Sequence, residues 1–130
     1  MRFAKWVFLS AGLSGILIVA PAFFLERQTG EDSPPPITHP EYYYGFLGVT
    51  LAWQFLFLII ASDPVRFRPT MLAAMLEKIG FAAAVWILYA VGRDPGLMRG
   101  FAAMDATWLV LFVIAYWLTP KTAEGPWGTN

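Results

Sequence analysis

The sequence predicts an all-α membrane protein: four transmembrane helices in an up-down-up-down bundle, with both termini in the cytoplasm. Three observations lead there. Of 130 residues, 58% are hydrophobic and only 14% charged, whereas soluble domains are near half apolar and about a quarter charged. Apolar runs with few or no charges cover about 6–25, 42–62, 70–91 and 100–118. At about 1.5 Å per residue each is long enough to cross a hydrocarbon core of about 30 Å. The segments between them are polar and rich in proline and glycine, which makes the whole chain, 1–130, a single four-helix membrane domain.

The first span is uncharged from Trp6 to Leu25. Its basic start and the stretch "APA" also resemble a signal peptide with cleavage after Ala22. The apolar run is long for that purpose and Pro21 adjoins the bond, so an uncleaved first span is expected. The loop over 26–41 is acidic and proline-rich, which predicts an irregular polar connection. The second span carries Gly45, Gly48 and Ala52 on one stripe, and the first has Ala11 and Gly15 at small-xxx-small spacing. Both are helix-packing signals. "DPVRFRP" is a short turn, and Pro69 suits the first turn of the third helix. "GRDPGLMRG" is a tight turn into the fourth, and a polar tail follows over 119–130. Short connections make consecutive helices antiparallel neighbours.

Arg2, Lys5, Arg66, Arg68 and Lys121 fall on one side, while Arg27, Arg93 and Arg99 share the other with most of the acidic residues. The positive-inside rule then puts both termini in the cytoplasm. Tyr42, Tyr43 and Tyr44 should sit at the outer interface, with Trp6, Tyr116 and Trp117 at the inner one. Composition also removes chemistry. A net charge of zero leaves no basic footprint for nucleic acid, and the absence of cysteine excludes disulfides, thiolate metal sites and cysteine nucleophiles. His39 is the only histidine, which rules out bis-histidine haem ligation within one chain. No catalytic set or metal site is recognisable, and no cofactor is specified.

Candidate functional residues are the polar groups inside the spans. Glu77 lies about 10 Å in from the inner edge, where a charge normally faces protein or water. Ala73, Ala74, Gly80, Phe81 and Ala84 share its face, so Glu77 is expected to point into the bundle and to form a polar layer with Gln54 and Ser14, which Lys78 could also join. Lys78 lies about 100° further round, and its stem should carry the ammonium toward the inner headgroups. Adjacent helix positions do not face each other, so the two are not expected to be each other's best partner. Arg66 or Arg68 could reach Glu77 from the inner turn. Asp105, in the fourth span, is placed near the outer surface and within reach of Arg93 or Arg99. By that count Glu77 and Asp105 differ in height by roughly 12 Å, which argues against a paired acid and base. Trp53, Trp86 and Trp108 lie inside spans, where each indole N–H needs an acceptor. They are expected either to pack against these acids or to line an aromatic pocket.

The stretch "YYYGFLGVTLAWQFLFLIIASDPVRFRPTMLAAMLEK", with an aspartate in the last span, resembles a group of small, uncharacterised four-span bacterial inner-membrane proteins, broadly DoxX-like in layout. The resemblance covers the second to fourth spans. It implies a bacterial inner (cytoplasmic) membrane location and a compact bundle using Gln54, Arg66, Arg68, Glu77 and Asp105, but no activity. Taken together, the first functional expectation is a non-enzymatic accessory or scaffold protein, a small subunit of a larger membrane complex or one that self-associates. The alternative is a binder or carrier of a small hydrophobic molecule such as a quinone, pigment or sterol. An intramembrane isomerase is the weakest reading.

Overall fold

The computed structural model describes residues 2–122, and among these the chain is all-helical. Its elements are α1 (Arg2–Ala22), α2 (Glu26–Asp32), α3 (Pro40–Ser62), α4 (Thr70–Ala90) and α5 (Met98–Leu118). The four long helices are each long and apolar enough to cross a membrane. They match the four expected spans, although α1 starts and ends earlier than 6–25. Residues 123–130, most of the polar tail, lie outside the described residues.

α1 packs along α3 and against α5, and α4 packs along α5, while α3 and α4 touch sparingly. The spans therefore circle in the order α3, α1, α5, α4, and the circle is loosest between α3 and α4. The half of the bundle next to the 63–69 turn is solid. Phe8 from α1, Phe57 from α3 and Phe112 from α5 are wholly buried there among Ala4, Ile60, Met71 and Ala115. The Phe8 and Phe112 rings stack at 4.3 Å, and Phe57 meets Phe112 edge-on at 5.1 Å. Offset and edge-on pairs of this kind add about 0.5–1.5 kcal/mol each beyond area burial. Arg68 closes this end. Its Nε donates to the carbonyls of Tyr116 (3.3 Å) and Thr119 (2.8 Å), and its guanidinium lies 3.8 Å from the centre of the Tyr116 ring. A cation here meets the unpaired carbonyls and the negative pole of α5. Neither Arg66 nor Arg68 reaches Glu77, contrary to expectation. Arg66 turns over Phe67, and Arg68 is held by α5.

The opposite end is built differently. The 26–41 connection is not wholly irregular: its first part winds into α2. Tyr43 and Tyr44, expected simply to rim the membrane, fasten this element. Tyr43 Oη donates to the Ala22 carbonyl at 2.6 Å, capping α1, and sits 3.4 Å from Thr29 Oγ1. Tyr44 Oη donates to Glu26 Oε2 at 2.7 Å. Gly30 is buried against the backbone of Pro36 and Ile37, where a Cβ would come within 3.2 Å. These contacts fold α2 across the end of the bundle.

The small-residue signals divide. On α1, a Cβ at Gly12 would press on Leu58 and the Gln54 carbonyl, and one at Gly15 would overlap the Gln54 side-chain amide. α1 and α3 thus approach closely because these positions lack side chains. On α3 the stripe packs against no helix of this bundle, since Gly45, Gly48 and Ala52 are exposed and the two glycines have open space around them. The buried stripe is Leu47, Gln54 and Ala61. Gly15→Val should therefore destabilise the bundle by about 1–3 kcal/mol, the usual cost of overpacking, because Gln54 must leave its hydrogen bond to Thr50. Gly48→Val should stay within about 0.5 kcal/mol of the parent, as an open surface position does. Unfolding titrations in mixed micelles measure both, and equal effects would contradict the close α1–α3 contact.

Candidate functional site

Lys78 lies in the interior, not among headgroups. It is 4% exposed, and its Nζ donates to Asp105 Oδ1 at 3.0 Å. Glu77 Oε2 lies 3.2 Å from the same ammonium. The sequence expectation is corrected on three points. Lys78 faces the bundle, because a buried carboxylate on α5 gives its charge a better partner than the long route out. Asp105 is paired by Lys78, while Arg99 instead meets Asp94 at 3.2 Å. The height difference between Glu77 and Asp105 does not keep them apart, since a flexible four-carbon stem lets one ammonium meet both. The inward face of α4 is Met71, Ala74, Lys78, Ala82 and Val85. Most of the small stripe expected inward, including Ala73, Gly80 and Ala84, is exposed.

The contact between the neighbours Glu77 and Lys78 is an ion contact without a hydrogen bond. Glu77 Oε2 is buried and has no hydrogen-bond partner among the described residues. Side chains one residue apart diverge by about 100° around a helix, so the ammonium aligns with Asp105 and only flanks Glu77. Lys78 Nζ also lies 5.2 Å from the centre of the Phe57 ring, close enough for a cation–π contribution. Gln54 is 3% exposed, and its Nε2 donates to the Thr50 carbonyl at 2.9 Å. Ser14 Oγ returns to its own helix, donating to the Ala11 carbonyl at 3.1 Å.

These groups stand where the solid half of the bundle ends. Beyond them, toward α2, the helices border a partly open cavity of about 470 Å³. Ser14, Gly15 and Ile18 line it from α1, Leu47 and Thr50 from α3, Phe81 from α4, and Phe101, Met104 and Trp108 from α5. Gln54, Glu77, Lys78 and Asp105 also line it, and Leu25, Thr29 and Ile37 contribute from the α2 region. The wall is mainly apolar and the floor is ionic, resting on the phenylalanine cluster. The Phe46 and Phe81 rings, 5.7 Å apart, span the loose seam between α3 and α4. A second hollow, about 590 Å³, lies beside α2 among residues such as Glu26, Arg27 and Glu31, and meets none of the buried ions.

The three tryptophans separate. Trp108 lines the cavity and packs 6.3 Å from Phe112. Trp53 packs against the solid core, 6.4 Å from Phe57. Trp86 is 40% exposed and meets Tyr89 edge-on, away from the cavity. Neither Glu77 nor Asp105 accepts an indole N–H among the described residues. The expected aromatic pocket therefore includes Trp108 but neither Trp53 nor Trp86. Phe46 was not picked out by sequence reasoning, whereas Phe81 and Phe101 share the helix faces of Glu77 and Asp105 and line the cavity with them. Their spacing to the polar positions, Phe81 four residues from Glu77 and Phe101 four from Asp105, was the available signal.

Comparison with family models, with curated proteins and with solved structures finds no match. Nothing in these comparisons bears on the DoxX-like resemblance.

Proposed function

We propose that this membrane protein binds or carries a small, mainly apolar molecule bearing one polar end, held in the cavity between the helices. The observation that carries the reading is the joining of an apolar chamber of about 470 Å³ to a floor of buried, mutually paired charges. Small-molecule sites span about 300–1,000 Å³, with apolar walls and a few convergent polar groups that fix orientation. Intramembrane charges that face a cavity are functional-site candidates because their insertion is costly. The ion cluster would set the depth and orientation of the polar end, and α2 would cover the chamber at its other end. The loose α3–α4 seam offers a route from the bilayer, so the ligand need never enter water.

The excess of Lys and Arg around 63–69 and the N-terminus supports an orientation with both termini in the cytoplasm, while a bacterial inner-membrane location rests on the resemblance to four-span bacterial proteins alone. Under that orientation the chamber lies in the outer half of the bilayer. The accessory-subunit reading rests on size and on the small residues of α3, which carry less than the chamber does. The test is purification in native lipid discs, followed by mass spectrometry of all that co-purifies. One apolar small molecule per chain is the expected result. A stoichiometric partner protein with no such molecule would overturn it in favour of the accessory subunit.

A further inference from the structure

We infer that the molecule held in the chamber carries a hydrogen-bond donor at its polar end, an amine or a hydroxyl, and not a carboxylate or a phosphate. The inference rests on the binding reading above and adds the chemistry of the head group. The floor holds two carboxylates and one ammonium. Lys78 is held between Asp105 at 3.0 Å and Glu77 at 3.2 Å. Gln54 Nε2 is engaged by the Thr50 carbonyl. What the floor leaves without an aligned hydrogen bond is an acceptor: Glu77 Oε2, buried at the chamber wall and only flanked by the ammonium at 3.2 Å. A buried acceptor left unmatched is costly, and a ligand that supplies the missing donor recovers that cost on binding.

The charge count points the same way. Lys78 is matched by Asp105, so the floor holds no free positive charge for an anion, and Glu77 adds a negative charge wherever it is ionised. A second anion would add to that charge in a medium of low dielectric, where like charges are strongly disfavoured. An ammonium would neutralise it, and a hydroxyl would donate to Glu77 without changing it. The apolar remainder of the ligand would run toward α2, past Phe46, Phe81, Phe101 and Met104, which line the chamber beyond the floor.

The experiment uses the full chain in zwitterionic phosphatidylcholine discs at neutral pH, with decylamine, decanol and decanoate as probes of equal tail length. Native mass spectrometry reads the saturable, one-per-chain species for each. Decylamine and decanol should bind, and decanoate should bind at least tenfold more weakly. In Glu77→Gln the amide removes the charge and adds a donor, so the preference for decylamine over decanoate should fall at least tenfold. If the parent binds decanoate as tightly as decylamine, the head-group inference fails while the binding reading stands. If none of the three reaches a saturable stoichiometry, the binding reading fails with it. The ranking in the parent protein decides the matter even where Glu77→Gln does not fold.

Discussion

Lys78→Met should lower the stability of the bundle by about 3–5 kcal/mol, the cost of removing one partner from a buried ion pair. Methionine roughly preserves the length and the apolar stem of lysine. What is lost is the ammonium between Asp105 and Glu77, 3.0 and 3.2 Å away. Two buried carboxylates then face the interior without a counter-charge. Asp105→Asn should cost less, about 1–3 kcal/mol, because Glu77 still flanks the ammonium and the amide oxygen can still accept. In the double variant Lys78→Met/Asp105→Asn, part of the loss should be recovered, since one stranded charge is gone. The expected coupling of 0.5–3 kcal/mol is the range for residues in direct contact. Unfolding in mixed micelles followed by circular dichroism gives all three values. A Lys78→Met variant within about 1 kcal/mol of the parent would mean that the ammonium reaches headgroups or water after all.

The contrast between Lys78 and the four spans shows what the sequence could convey. Span positions follow from summed hydropathy, and Pro40–Ser62, Thr70–Ala90 and Met98–Leu118 each lie within two residues of their expected ends. The rotation of each helix is another matter. In a soluble bundle the outward face is polar, and the apolar stripe marks the inside. Here the outward face is apolar as well: Leu72, Leu76, Ile79 and Ile87 are exposed on α4. Only the polar positions then carry facing information, and for Lys78 two outcomes were open. A long stem can snorkel, or it can meet a buried acid. Which one holds depends on Asp105, 27 residues away on another helix. Helix α2 was hidden for a related reason. "ERQTGED" has no apolar periodicity, and its position is held by tyrosines of α3. The chamber was the least legible feature, because a void is a shortage of atoms shared among four helices and no single segment encodes it.

Filling that chamber gives the second large effect expected. Thr50→Phe places an aromatic ring into the space from α3, and Ser14→Phe does so from α1, both from positions that line it. Filling apolar space in a bundle does not lower its stability where the new side chain fits without strain, and a ligand or lipid chain would use the same space. A ring rooted in the wall competes with either. Neither substitution touches the ion cluster. Thr50 serves Gln54 through its backbone carbonyl, and Ser14 bonds only within α1. Ligand affinity should fall at least 100-fold, about 2.8 kcal/mol, while the melting temperature of the ligand-free protein stays level or rises. Loss of binding without loss of stability is the informative combination, because a merely damaged bundle would lose both. Two variants on different helices guard against a local misfit in either one. If both keep full affinity while remaining folded, the ligand sits elsewhere, and the ion cluster serves only to lock α4 to α5.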